Sequence, residues 1–550
     1  MNAFHDKVIY QIYPKSYKDT TGNGYGDLKG IIEKLPYVAD LGVDMIWLNP
    51  FYKSPQNDNG YDVSDYTSID PLFGTWEDFD QLVAEAQKHG ISLMLDMVLN
   101  HCSTEHEWFQ RALAGEKKYQ DFFILREAQE DGSLPTNWES KFGGPSWSKF
   151  GDTDQYYLHL FDVTQADLDW RNPEVREELY KVVNFWLEKG VKGFRFDVLN
   201  VIGKDVELKD AEDGVGKSHY TDTPIVHDYI HELNENTFGK YDDILTVGEM
   251  SSTTVPNGVQ YSNPDRNELS MIFSFHHLKV DYKDGEKWTT SPYDFKALKN
   301  ILDEWQVGMS EGNGWNAVFW NNHDQPRAND RFGDPENYPY ETATLLAQTI
   351  HLLRGTPYIY QGEEIGMTNP SYESIDDYSD VETHNAYKQL IKSGTSPDEA
   401  LAIIGEKSRD LPRIPMQWDE TLNAGFTDGT PWLKLSENYH EINTKNESFS
   451  HKVRDYYKQL IKLRKQLPII QEGSYQTLKL DHDSIYAYVR EYEDESLLVM
   501  NLFYEETATF EIPEYLRGKK ATHLIGNYEK RPLEDVIELK PFETIAFILK

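Results

Sequence analysis

Short apolar runs recur along the chain, each followed by a polar cluster and then by a stretch with helical spacing. The runs predict strands over residues 8–13, 43–48, 91–99, 193–197, 244–249, 269–275, 317–321 and 357–360. They are continuously apolar rather than alternating, which suits parallel strands covered on both faces. Between them the i, i+3, i+4 pattern predicts helices over residues 28–41, 76–89, 173–189, 224–237, 293–307 and 340–353. Repeated strand-then-helix units of this kind predict an α/β chain folded as a (β/α)8 barrel rather than an open sheet.

Two regions break the rhythm. Residues 101–170 are rich in Gly, Pro, Ser and aromatics without a clear crossover helix, and are too long for a simple loop. They are read as a small domain inserted after the third strand. Beyond a helical stretch at 451–467, the pattern turns to alternating strands at 484–491, 496–503, 508–512 and 544–549. The expected organisation is therefore barrel (1–100), inserted domain (101–170), barrel (171–472) and a C-terminal antiparallel all-β domain (473–550).

Composition narrows the possible partners. The 550 residues carry 54 Lys and Arg against 93 Asp and Glu, a net charge of −39. A field of that sign repels nucleic acid and anionic membrane. No apolar run is long enough to cross a bilayer, and the first residues, Met1-Asn2-Ala3-Phe4-His5-Asp6-Lys7, lack a signal-peptide pattern. The expectation is a cytoplasmic monomer acting on a small molecule. The single cysteine, Cys102, excludes an intrachain disulfide and is read as a small buried residue.

Candidate chemistry lies where the strands end. The third runs into Asp96-Met97-Val98-Leu99-Asn100-His101, and the fourth is Gly193-Phe194-Arg195-Phe196-Asp197. The fifth ends in Glu249 and the seventh in Asn322-His323-Asp324. In a barrel these groups converge on the mouth at the C-terminal ends of the strands. Any one of them alone could be a helix cap. Together they place Asp197, Glu249 and Asp324 in one cleft with two imidazoles. Crowded carboxylates separate in pKa, and a pair doing different work is what glycoside hydrolysis needs.

These blocks, with the opening Gln11-Ile12-Tyr13-Pro14, resemble the α-amylase family of glycoside hydrolases over essentially the whole chain. The resemblance implies a retaining enzyme with Asp197 as nucleophile, Glu249 as general acid/base and Asp324 steadying the transition state. It also implies that His101 and His323 donate to the glucosyl ring, that Arg195 holds the nucleophile ionised, and that Tyr61 forms a platform under the sugar. Asn57-Asp58-Asn59-Gly60-Tyr61-Asp62 and Arg413 are similar to the exo-acting glucosidases of the family. In that subgroup Asp58 and Arg413 would pair to grip the terminal sugar. Val198, after the nucleophile, is similar to α-1,6-glucosidases and their trehalose-phosphate-cleaving relatives.

The stretch from Phe275 to Trp288 looks like trehalose-6-phosphate hydrolases rather than oligo-1,6-glucosidases. Its Lys279 and Lys287, with Lys283 between, would meet a phosphate at the +1 position, so the expected substrate is a phosphorylated disaccharide. Asp281, Asp284 and Glu286 cancel these charges formally, and a solvated loop is the plain alternative. Hydrolysis of isomalto-oligosaccharides, or transglycosylation and sucrose isomerisation on the same machinery, are the rival activities. Finally, Asp19, Thr21, Asn23, Tyr25 and Asp27 place oxygens at alternate positions around Gly24. The resemblance implies a structural Ca2+ there, and the chemistry itself requires no metal.

Overall fold

The computed structural model describes residues 4–550; residues 1–3, where the reading of the chain's start begins, lie outside the described residues. The eight strands are β1 (Ile9–Ile12), β2 (Met45–Leu48), β3 (Ser92–Met97), β4 (Gly193–Phe196), β5 (Leu245–Glu249), β6 (Met271–Phe273), β7 (Ala317–Val318) and β8 (Thr356–Tyr360). They form one parallel sheet in the order β6-β5-β4-β3-β2-β1-β8-β7. A parallel bridge between Ile272 in β6 and Asn316, just before β7, closes it into a barrel.

Helices α1 (Leu28–Leu41), α2 (Trp76–Lys88), α3 (Pro173–Glu188), α4 (Pro224–Asn236), α5 (Val255–Ser262), α6 (Phe295–Glu311) and α7 (Pro339–His351) cross between the strands. Their starts follow local chemistry. Asp27 caps α1 by accepting from Gly30 N, Thr75 and Asp78 form a capping box on α2, and Asn172 caps α3 ahead of Pro173. On their inner faces large aromatics fill the space outside the sheet. Trp186 of α3 is fully buried and stands edge-on to Phe79 of α2.

Strand periodicity decides which groups enter the barrel. In β4, Phe196 reaches outward to Phe238, while Arg195 turns inward beside its cross-strand neighbour Asp96 of β3. Gly193 lies on the inward side, where an added Cβ would meet Met45 Sδ at 2.8 Å, so the missing side chain makes room for methionine packing. The same alternation carries Asp197 and Glu249 inward at the C-terminal ends.

After β3 the chain leaves and returns as an antiparallel ribbon, with His101–Ser103 paired to Gln165–Asp167. Within this excursion a three-stranded sheet orders Leu125–Glu127, Gln155–Leu158 and Trp147–Lys149. It has its own small core of Ile124, Trp138, Trp147 and Leu158, which Val198, Val201 and Tyr220 join from the loop after β4. Cys102, in the ribbon, is buried and burial pushes its thiol up, away from a reactive thiolate.

Two helices after β8, α8 (Val381–Lys392) and α9 (Pro397–Lys407), have no counterpart among the sequence expectations. The buried positions of α8 are Glu382, Thr383 and Ala386, so its inward face is largely polar and leaves no apolar stripe to detect. A long helix, α10 (Ser450–Gln466), packs on the barrel beside α7.

The C-terminal strands β9 (Gln476–Leu478), β10 (Ile485–Tyr492), β11 (Glu495–Leu502), β12 (Ala508–Glu511), β13 (Ala521–Gly526), β14 (Val536–Leu539) and β15 (Thr544–Leu549) are antiparallel. Five make the sheet β9-β10-β11-β15-β13, and β12 pairs with β14. Ile485, Val489, Met500 and Phe547 form a core of their own, while Tyr486, Tyr488 and Val499 join the barrel's core. Both faces of the central strands are therefore covered. Among the described residues no helix is long and apolar enough to cross a membrane.

The junction is sealed by buried side chains donating to helix-end carbonyls. Arg490 donates to the carbonyls of Leu352 at 2.8 Å and Ser474 at 2.7 Å, and Tyr488 Oη donates to Thr349 O at 2.9 Å. Removing a donor strands buried acceptors, each costing about 1–3 kcal/mol. Arg490→Met is expected to lower the thermal midpoint by several degrees while leaving kcat at low temperature unchanged. Calorimetry beside a rate measurement checks both halves.

Candidate active site

At the C-terminal mouth of the barrel, Arg195 stands at the centre of three carboxylates. Its Nη1 lies 2.9 Å from Asp96 Oδ1 and 2.7 Å from Asp197 Oδ1, and its Nη2 lies 2.5 Å from Glu249 Oε2. Asp96 is further held by Trp47 Nε1 at 3.1 Å and Tyr61 Oη at 2.8 Å. Burial and the nearby Glu249 push the Asp197 carboxyl well above the ordinary range. Arg195, in contact with both Asp197 and Glu249, balances the negative charge of these crowded carboxylates. Two carboxyl groups held by a single guanidinium can supply the proton donor and the nucleophile that glycoside hydrolysis needs.

Backbone geometry adds to this. Val198 has φ 37° and ψ 42°, a left-handed conformation strained for a β-branched residue. It turns the Val198 N–H toward Glu249 Oε2, at 3.2 Å.

Opposite the pair lies the β7 loop. Burial would raise the Asp324 carboxyl, but the guanidiniums of Arg409 and Arg413 outweigh it and hold Asp324 well below the usual range. Arg413 donates to Asp324 Oδ1 at 2.6 Å and to His323 O at 2.8 Å. His323 Nδ1 accepts from Gln11 Nε2 at 3.0 Å, and its ring stacks on Tyr61 with centroids 5.2 Å apart. Burial pushes the His323 imidazole down, so it is neutral, and its Nε2 lies 3.2 Å from Asp324 Oδ2. His101, pushed down to about 4 by burial, is also neutral. Its Nε2 lies 3.2 Å from Tyr61 O.

The expected pairing of Asp58 with Arg413 is corrected here. Asp58 pairs with Arg409, at 2.9 Å, and accepts from Gln165 Nε2 at 2.9 Å. Arg413 instead pairs with Asp324 at 2.6 Å, and both guanidiniums converge on Asp324 and Asp380. Arg409 also meets Asp380 and, at 3.0 Å, Glu382 of α8. Neither Arg409 nor Glu382 was among the expected site residues.

These groups line a cavity of about 200 Å³. Asp58, Tyr61, His101, Asp197, Glu249, Asp324, Lys279 and Lys287 all reach it, as do Lys141, Phe142, Phe161 and Gln165 of the inserted domain. Arg195, His323 and Arg413 stand behind its wall. Lys287 is 2.6 Å from Glu382, so its charge is already matched, although its other N–H donors remain. Among the described residues Lys279 has no such partner, and Lys283 sits on an exposed turn away from the cavity.

The Asp19, Thr21, Asn23, Tyr25 and Asp27 loop lies apart from this cavity. Asp19 accepts from the N–H groups of Thr21, Gly22 and Gly24 and from Thr427 Oγ1. Asp27 accepts from Thr20 N and Gly30 N, and Asn23 Oδ1 accepts from Tyr25 N. Among the described residues no cluster of three or more His, Cys, Asp or Glu side chains is arranged to hold a metal.

Residues 11–473 match the α-amylase catalytic domain, and residues 475–545 match the C-terminal domain of maltogenic amylase. The chain is 52% identical over 551 residues to the trehalose-6-phosphate hydrolase of Bacillus subtilis (strain 168), covering 98% of this chain and 97% of that one. It is 46% identical to the oligo-1,6-glucosidase of Parageobacillus thermoglucosidasius, covering 99% of this chain and 98% of that one. A crystal structure of Bacillus licheniformis trehalose-6-phosphate hydrolase is similar with a TM-score of 0.95 at 50% identity, covering 100% of each chain. A closed parallel barrel, a carboxylate pair on one buried arginine and these full-length likenesses converge: the chain belongs to the α-amylase family of glycoside hydrolases.

Proposed function

We propose that the protein is a retaining, exo-acting α-glucosidase that hydrolyses trehalose 6-phosphate to glucose and glucose 6-phosphate. The observation that carries the substrate is Lys279, an unpaired ammonium on the wall of the cavity that holds the catalytic carboxylates. A neutral sugar gives no reason to bury such a charge, whereas a phosphate dianion repays it. The relatives named trehalose-6-phosphate hydrolase support the same reading.

In the first step Glu249 transfers its proton to the bridging oxygen while Asp197 attacks the anomeric carbon. The glycosidic bond breaks, glucose 6-phosphate departs and a glucosyl ester forms on Asp197. Glu249, now ionised, takes a proton from water, whose oxygen displaces Asp197 and releases glucose with retained configuration. Asp324 and His101 face the hydroxyls of the sugar being transferred, with His323 behind them, and the Asp58–Arg409 pair closes the far end of the pocket. That closure accounts for exo action, because an internal polymer segment has no way through.

Asp197→Asn is expected to abolish turnover by several orders of magnitude. Glu249→Gln is expected to cost about 10²–10⁴-fold on trehalose 6-phosphate. It should spare glucosyl-enzyme formation from aryl α-glucosides with good leaving groups, which need little proton donation. Burst kinetics on the two substrate types test the assignment, and equal loss on both would remove Glu249 from the acid role.

Substrate choice is tested by comparing trehalose 6-phosphate, trehalose and isomaltose side by side. A charge-assisted contact to phosphate contributes about 1.5–3 kcal/mol, or roughly tenfold to a hundredfold in affinity. Lys279→Ala should raise KM for the phosphorylated substrate by at least that lower factor and leave a neutral aryl α-glucoside unaffected. Isomaltose as the preferred substrate would instead favour an oligo-1,6-glucosidase.

We also propose a structural Ca2+ held by Asp19, Thr21, Asn23, the Tyr25 carbonyl and Asp27. The support is the donor chemistry, all oxygen with two carboxylates, which suits a hard cation. The ion would tie the loop before α1 and take no part in the reaction. Chelation should lower the melting temperature, reversibly on adding calcium, without altering kcat at low temperature. An unchanged midpoint with no metal found on analysis would leave the loop as a hydrogen-bonded turn. A monomer in the cytoplasm completes the proposal.

A further inference from the structure

Three lysines meet at the mouth of the cavity from three separate stretches of chain. Lys141 comes from the inserted domain, Lys217 from the loop after β4 and Lys279 from the turn after β6. Lys141 and Lys279 line the cavity, and the exposed Lys217 lies close enough to both for its charge to act on them. Burial and the charges of Lys217 and Lys279 push Lys141 down to about 7. Burial, Lys217 and Lys287 push Lys279 down to about 8. Among the described residues none of the three ammonium groups has an ion-pair partner, whereas Lys287 has Glu382. A chain with 93 acidic residues has ample means to pair them.

The three are held in place by packing. Lys141 N donates to Leu160 O at 2.8 Å, and its ammonium lies 5.5 Å from the centre of the Tyr220 ring. Lys217 opens a 3-10 turn entered through Gly216 at φ +96°, where an added Cβ would meet Trp138 at 2.4 Å. Trp138 stacks on His219 of the same turn at 5.6 Å. Lys141 and Lys217 are therefore carried by one packed unit. Lys279 follows a turn pinned by His276 to Thr253 O at 2.7 Å and by His277 to Phe319 O at 2.8 Å.

We infer that Lys141 and Lys279, with Lys217 close by, form a phosphate seat built jointly by the inserted domain and the β6 loop. The inference rests on the phosphorylated-sugar reading and adds to it that the inserted domain supplies half of the recognition. Lys217, outermost, draws the dianion in, and Lys141 and Lys279 hold it. Lys287 shares Glu382 with Arg409 and adds a neutralised contact.

Two probes test the seat: KM for trehalose 6-phosphate, and inhibition of aryl α-glucoside hydrolysis by inorganic phosphate. Lys141→Gln is expected to raise both the KM and the phosphate inhibition constant at least about tenfold. The preference for trehalose 6-phosphate over the aryl glucoside, as a ratio of kcat/KM values, should fall by the same factor, and Lys141→Arg should restore most of the loss. Lys217→Gln should show a smaller effect that disappears at high ionic strength. Should Lys279→Ala weaken both readouts while Lys141→Gln changes neither, the shared seat is overturned and the phosphorylated substrate stands. Equal loss on phosphorylated and neutral substrates in Lys141→Gln would also overturn it. A wild-type enzyme indifferent to phosphate in both assays would remove the seat and the substrate reading together.

Discussion

Arg195 has no exposed surface, yet it faces Asp96, Asp197 and Glu249 at once. Three carboxylates cannot share a buried mouth without a fixed counter-charge, and withdrawing one partner from such a cluster typically costs 3–5 kcal/mol. The barrel supplies what that cluster needs. Parallel register sets Arg195 directly beside Asp96, and the pleat aims Asp197 and Glu249 the same way. The nucleophile and acid are thereby oriented by two adjacent strands rather than by loops, which is the rigidity that a reaction at one carbon requires.

Charge is distributed around this cluster in two layers. Towards the transferred sugar lie Asp58, Asp324 and Asp380, each matched by Arg409 or Arg413. Towards the leaving group lie Lys141, Lys279 and Lys287, of which only the last has a carboxylate partner. Glu382 joins the layers, because it holds both Arg409 and Lys287. A protein of net charge −39 thus presents a locally cationic entrance to its own acidic pocket. Field focusing of this kind acts on encounter as well as on affinity, and it weakens with salt.

What could be read in the sequence follows from how each feature is encoded. The barrel strands are apolar throughout, and the carboxylates stand at their ends, so both the fold and Asp197, Glu249 and Asp324 were legible. Arg409 was not, because it lies four residues from Arg413 and the two guanidiniums are chemically identical. Both reach the same cluster of Asp324 and Asp380, and only the folded geometry brings Arg409 to Asp58. Helix α8 escaped notice because the face it buries is polar, and Glu382 is buried for charge pairing rather than for apolar area. Lys141 lies in a stretch without periodicity, and its role depends on Lys217 and Lys279, far away along the chain.

Val198 shows how the inserted domain and the catalytic pair are bound together. A left-handed β-branched residue stores about 1–3 kcal/mol of strain, and it persists only where its surroundings hold it. Its side chain lies in the small core of Trp138, Trp147, Leu158 and Tyr220. Burying a valine there contributes about 1.5–3 kcal/mol, enough to offset the strain. The backbone N–H, turned by that same conformation, then donates to Glu249. Packing within the inserted domain therefore fixes the orientation of the acid, while its surface carries Lys141 to the entrance. One small core positions both the proton donor and part of the group that selects the leaving sugar, so recognition at the rim and chemistry at the base share a single mechanical support.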